Sequence, residues 1–143
     1  MYNTTTSSVL RVLTIVLLLL VSLSAIAAGY SFITDPSGSG IGISTTYLKA
    51  SAPFENYFVP GIILLAVNGL LSMVVAYAVI RRLKHHLMLV MLQGAIYVGW
   101  IVVQLSMVTT FHVLHGIIGF IGITLIAVGF MMESQEKLSQ DIS

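Results

Sequence analysis

Four stretches of this chain, residues 12–30, 58–80, 87–108 and 113–132, run without a single Asp, Glu, Lys or Arg. Each is close to the roughly 20 apolar residues a helix needs to cross a hydrocarbon core of about 30 Å. In lipid every backbone N–H and C=O must bond within the protein, so the runs predict four membrane-spanning helices. Pro60, the block Arg81-Arg82-Leu83-Lys84-His85-His86 and the turn Thr109-Thr110-Phe111-His112 punctuate their boundaries. Composition agrees: the 143 residues are 57% hydrophobic and 8% charged, where soluble domains carry about 25% charge. The expected fold class is an all-α membrane protein, an antiparallel four-helix bundle forming a single domain.

Orientation follows from Lys and Arg, which concentrate in short cytoplasmic segments. Arg11, Arg81, Arg82, Lys84 and Lys137 fall on one side of a four-span zigzag and Lys49 on the other. Both termini are expected in the cytoplasm, with the segment 31–57 and the turn at His112 outside. Arg11, an apolar run and Ala25-Ile26-Ala27 also outline a secretory signal with its cleavage site. The apolar run continues through Ala28, Gly29 and Tyr30, which is long for such a signal and favours a retained first span.

There is no cysteine, which removes disulfides, thiolate metal sites and cysteine nucleophiles. A net charge of +1 without a long basic run gives no footprint for nucleic acid. Membrane lipids are the expected partners, with a membrane-protein partner or a second copy of the chain as further candidates.

The outer segment, 31–57, opens on Asp35-Pro36-Ser37-Gly38, a strong turn former. Gly38, Gly40 and Gly42 argue against regular structure, and Ser44 is placed to cap a short helix over 44–48 that Pro53 ends. Phe54, Tyr57 and Phe58 suit an aromatic belt, and Pro60 is tolerated in a first helical turn. The segment reads as a connecting lid or as a cap over an outer-leaflet pocket. The polar tail after Met132 is expected to fray.

Membrane helices associate through small and polar residues, since leucine gains little by leaving lipid for protein. Such residues therefore mark inward faces. The first span offers Thr14, Leu18, Ser22, Ala25 and Gly29 along one stripe; the second offers Gly61, Leu65, Asn68, Ser72 and Ala76. In the third, Gln93, Tyr97, Trp100 and Gln104 share a face, and the fourth carries His112, His115, Gly119, Gly122 and Gly129. Helical rise puts Asn68 and Trp100 near mid-membrane and Gln104 within about 8 Å of the outer boundary. Gln104, His112 and His115 are thus expected to cluster beneath the outer segment.

Trp100, Gln104, His112, His115, Asn68 and Tyr97 are the candidate ligand-binding residues. Ser22, Ala25, Gly29, Gly119 and Gly122 are the candidate packing surface. A His-x-x-His pair can present two imidazoles on one face, as metal or haem requires, but no third and fourth ligand follow at recognisable spacing. Asp35 and Glu55 are the outer carboxylates available to a cation or proton. No cofactor and no metal are expected. No Asp, Glu, Lys or Arg lies within a span, which argues against an ion-coupled transporter. The glycines of the fourth span lie in a helix rather than at an exposed strand-to-helix turn, so they form no nucleotide loop. Asn68 reads first as interhelical glue, with Ser22, Ser72 or the Trp100 indole as its partners.

Several short strings are suggestive together: Asp35-Pro36-Ser37-Gly38 after the first span, Ser51-Ala52-Pro53-Phe54 before Tyr57 and Pro60-Gly61, Arg81-Arg82, and Trp100-Ile101-Val102-Val103-Gln104. Over about residues 10–130 the chain resembles small, uncharacterised four-span membrane proteins of bacteria, similar in layout to the DoxX-like group. That resemblance implies an uncleaved four-helix bundle in a bacterial inner membrane and implies no substrate. The reading that results is a non-enzymatic protein that scaffolds a partner or binds a lipid-like molecule in an outer-leaflet pocket. Its alternative is a redox component holding a quinone or haem near His112 and His115.

Overall fold

A computed structural model describes residues 4–143. Its four long helices are α1 (Thr4–Thr34), α2 (Phe58–Ile80), α3 (His86–Met107) and α4 (Val113–Ile142). All four are long and apolar enough to cross a membrane. Each exposes large apolar side chains along its outer side, among them Val9, Leu20, Val74, Val102 and Phe120. Such surface suits lipid and would be a liability in water.

α1 and α4 extend beyond the apolar runs. Ser24, Ser31 and Thr34 donate their hydroxyls to the carbonyls of Leu20, Ala27 and Tyr30 at 2.8–3.0 Å, so polar residues continue the helix past Tyr30. Asp35-Pro36 stops it, because proline disfavours a helical residue before it. The tail after Met132 does not fray: α4 continues to Ile142. Glu133, Gln135, Glu136, Lys137 and Leu138 are good helix formers, and Lys137 pairs with Glu133 one turn earlier at 3.3 Å.

Near its middle α2 widens into a π-helical segment, Leu64–Leu70. At its start, the Asn56 side chain accepts from the Phe58 N–H at 2.9 Å and Pro60 sits in the first turn. The link to α3, residues 81–85, holds Arg82 (φ 50°) and His85 (φ 65°) in the left-handed region. It is closed by N–H donation from Leu83 to the Ala78 carbonyl at 3.0 Å.

One core is shared by all four helices: Leu18 and Val21 of α1, Val75, Ala76 and Val79 of α2, Val90 and Tyr97 of α3, and Leu125 of α4. Within it the closest approaches run through glycine. Gly94 of α3 and Gly122 of α4 face each other so tightly that a methyl on either would stand 2.6–2.7 Å from the other's carbonyl oxygen. Gly29 of α1 meets Gly61 and Leu65 of α2, and Gly69 meets Ile26, at similar distances. Gly119 differs: a methyl there would be 4.0 Å from Ile101, an ordinary contact. Ala25 and Ser22 are buried against α2, the Ser22 hydroxyl donating to the Gly69 carbonyl at 2.9 Å.

Candidate functional site

The segment 31–57 is held at both ends. Asp35 accepts from the Ser37 and Ser39 hydroxyls and from the Gly40 N–H at 2.8 Å, so both carboxylate oxygens are occupied by its own turn. The Ser37 hydroxyl, and next the Gly40 N–H, hold its carboxyl below the usual range. Gly38 is left-handed (φ 70°), and a side chain there would collide with the Ile43 carbonyl. Tyr57 stacks on Phe32 at 4.7 Å and donates its hydroxyl to the Ser44 carbonyl. Burial, and then the neighbouring Tyr47, push that phenol's pKa up. A single 3₁₀ turn, Thr45–Tyr47, follows Ser44, whose hydroxyl caps Thr46.

Beyond that turn the segment docks on the link between α3 and α4. The Lys49 N–H donates to the Met107 carbonyl at 2.7 Å and the Thr109 N–H to the Tyr47 carbonyl at 2.8 Å. The Lys49 ammonium donates to the Leu105 carbonyl at 2.9 Å, at the negative end of α3. Sequence reasoning used Lys49 only as an orientation marker. A lone cation in the segment 31–57, opposite a helix C-terminus, was the available signal.

His112 and His115 are joined, but to each other's backbone turn. His112 Nδ1 accepts the Leu114 N–H at 3.2 Å, and His115 Nδ1 accepts the His112 N–H at 3.0 Å. Together they form a reciprocal cap on α4. Each neutral ring is thereby fixed with its proton on Nε2, so neither offers a free lone pair to a metal. His112 is exposed and His115 half-buried. Half-buried Gln104 has no hydrogen bond to either among the described residues. No three His, Asp or Glu side chains among those residues assemble into a metal-binding group.

The polar residues at mid-span do come together, around the widened turn of α2. A π turn displaces the backbone ladder and leaves carbonyls in search of donors. Three consecutive ones are served by side chains. Gln93 Nε2 donates to the Val67 carbonyl at 3.1 Å, Ser72 to the Asn68 carbonyl at 2.7 Å, and Ser22 to the Gly69 carbonyl. Since the Ser72 proton is committed to a carbonyl, Tyr97 must be the donor in its short bond to Ser72. Ser22, Ser72, Gln93 and Tyr97 are each about 1% exposed or less.

Four buried atoms in this region remain without a partner: Asn68 Nδ2 and Oδ1, Gln93 Oε1 and Trp100 Nε1. The bonds from Gln93 and Tyr97 set residues 93–100 of α3 alongside 67–72 of α2. Trp100 follows Tyr97 on the same face. An unpaired buried amide costs about 1–3 kcal/mol, so the two donors and two acceptors left open here favour any group that satisfies them. All are neutral, and the groups they complement are neutral too: a hydroxyl, an amide or a carbonyl.

Two surface cavities lie elsewhere. One of about 170 Å³ is formed by the end of α1 and the Asp35 turn, and one of about 400 Å³ lies beside the link between α2 and α3. Neither is lined by Trp100, Gln104, His112 or His115. Comparison with family models, curated proteins and solved structures finds no match to this chain.

Proposed function

We propose that the chain is a non-enzymatic multi-pass protein of the bacterial cytoplasmic membrane, an antiparallel four-helix bundle with both termini inside. It binds a neutral, lipid-like molecule in the outer half of the bundle. The topology is supported by the distribution of Lys and Arg and by the contacts of Gly29 with Gly61 and of Ser22 with Gly69. The observation that carries the binding reading is Asn68, 2% exposed with both amide atoms unpartnered, together with the open Gln93 oxygen and Trp100 indole N–H on α3. Charge-free spans suit a neutral polar group anchored by an apolar tail, and the outer segment, tied down through Lys49, closes the bundle above it.

Native mass spectrometry of the purified protein tests this. The native chain is expected to retain one lipid-like molecule, and Asn68→Leu to retain at least about tenfold less while its unfolding temperature holds or rises, an orphaned amide having been removed. Gln104→Leu is expected to weaken retention without loss of folding. Equal retention by native and Asn68→Leu protein would reject the site.

A quinone is the ligand that would make the same site redox-active, because two open donors, Asn68 Nδ2 and Trp100 Nε1, suit a quinone carbonyl. A quinone in the solvent extract supports that variant. An extract without quinone and a spectrum without a haem Soret band reject the redox reading.

A further inference from the structure

The cavity of about 400 Å³ at the opposite end of the bundle combines features that the site above leaves unused. It is lined by Lys84, His85, His86, Leu87 and Met88 on one side, and by Glu133, Glu136, Lys137 and Gln140 of α4 on the other. Lys137 is engaged with Glu133. Lys84 and Glu136 have no ion-pair partner among the described residues, so the cavity presents one open cation and one open anion.

His86 sharpens the chemistry. It is 7% exposed, and its Nδ1 lies 2.8 Å from the Leu83 carbonyl, which can only accept. The proton of the neutral ring therefore sits on Nδ1, and Nε2 on the opposite edge is an acceptor. That atom is buried and has no partner. Beside it α3 begins. The His86 N–H is used by Leu83 and the Leu89 N–H by His85. The N–H groups of Leu87 and Met88 belong to the helical turn that lacks intrahelical acceptors, at the positive end of the helix dipole.

We infer that this cavity binds the headgroup of a zwitterionic phospholipid whose cation is a primary ammonium, a phosphoethanolamine head. The phosphate is taken by Lys84 and the first-turn N–H groups of α3, as helix N-termini take anions. The ammonium is taken by Glu136 and His86 Nε2. A choline head cannot donate to Nε2, and a glycerol head brings no charge to Glu136. The cavity sits where α4 continues past the apolar part of its span, the level of lipid headgroups. The inference rests on reading the four helices as membrane spans.

The full chain is reconstituted in vesicles of equimolar phosphatidylethanolamine, phosphatidylglycerol and phosphatidylcholine, and native mass spectrometry counts the lipids it retains. The native protein is expected to keep phosphatidylethanolamine over either competitor by about fivefold, the scale of one charge contact at a membrane surface. Glu136→Gln, at a half-buried site without an ion pair, abolishes the preference over phosphatidylglycerol. His86→Phe abolishes the preference over phosphatidylcholine. No preference in the native protein, or an unchanged preference in Glu136→Gln, overturns the inference. Displacement by millimolar inorganic phosphate also overturns it and assigns the cavity to free phosphate. Release of the chain from membranes by alkaline carbonate would instead overturn the reading of spans.

Discussion

Asp35 organises the start of the segment 31–57 with one carboxylate, and its own turn stabilises the charged form. Its depressed pKa fixes the sign of the pH effect: the order it confers is fully present above the ordinary carboxylate pKa of about 4 and is lost only as pH falls through the lower folded value. The Gly40 amide, which donates to Asp35, is therefore expected to stay protected from hydrogen exchange through mildly acidic pH and to lose protection below about pH 4. In Asp35→Asn that protection is expected to be low at every pH. A Gly40 amide protected equally in both proteins would show that the turn does not depend on the carboxylate. The histidines illustrate the same scale differently. His112 and His115 stood out in the sequence as possible ligands, yet their ring nitrogens accept the N–H groups of a helix start. A His-x-x-His string looks the same whether it meets a metal or its own backbone.

Between elements, glycine decides how close the helices come. Gly94→Ala and Gly122→Ala each drive a methyl toward a carbonyl oxygen of the facing helix. Each is expected to destabilise the bundle by about 1–3 kcal/mol, the range for overpacking. Gly99→Ala meets nothing within 4 Å and is expected to leave the thermal unfolding temperature unchanged or slightly higher. Equal melting of all three variants would remove close approach as the cause. Gly122 was visible in the sequence as part of a stripe of small residues, whereas Gly94 was hidden beside the more conspicuous Gln93. The helices themselves were legible, because runs without charge at bilayer length leave few other solutions. The ends of α1 and α4 were not, since hydropathy falls where the hydroxyl-rich and charged turns continue the helix. Nor was the widened turn of α2: Ser22 and Ser72 read as partners for the Asn68 amide and Gln93 as one member of an inward stripe, and all three instead bond backbone carbonyls that a regular helix keeps to itself.

For the whole molecule, a chain free of cysteine makes sidedness directly measurable. Under the proposed topology, Ser39→Cys is expected to react with an impermeant maleimide applied to intact cells, and Gln140→Cys only after permeabilisation. The reverse pattern would invert the topology. The π turn also has a consequence at this scale. It inserts one extra residue into a turn of α2, which advances everything beyond it by about 100° around the helix axis. The first part of α2, carrying Gly61, and the later part, carrying Ser72, Val75 and Val79, are set at different rotational phases. One continuous span thereby keeps Gly61 directed at α1 while its later turns line the core shared by all four helices. The mid-span segment works as a phase shifter, and the registry of the bundle depends on a residue count there as much as on which residues are present.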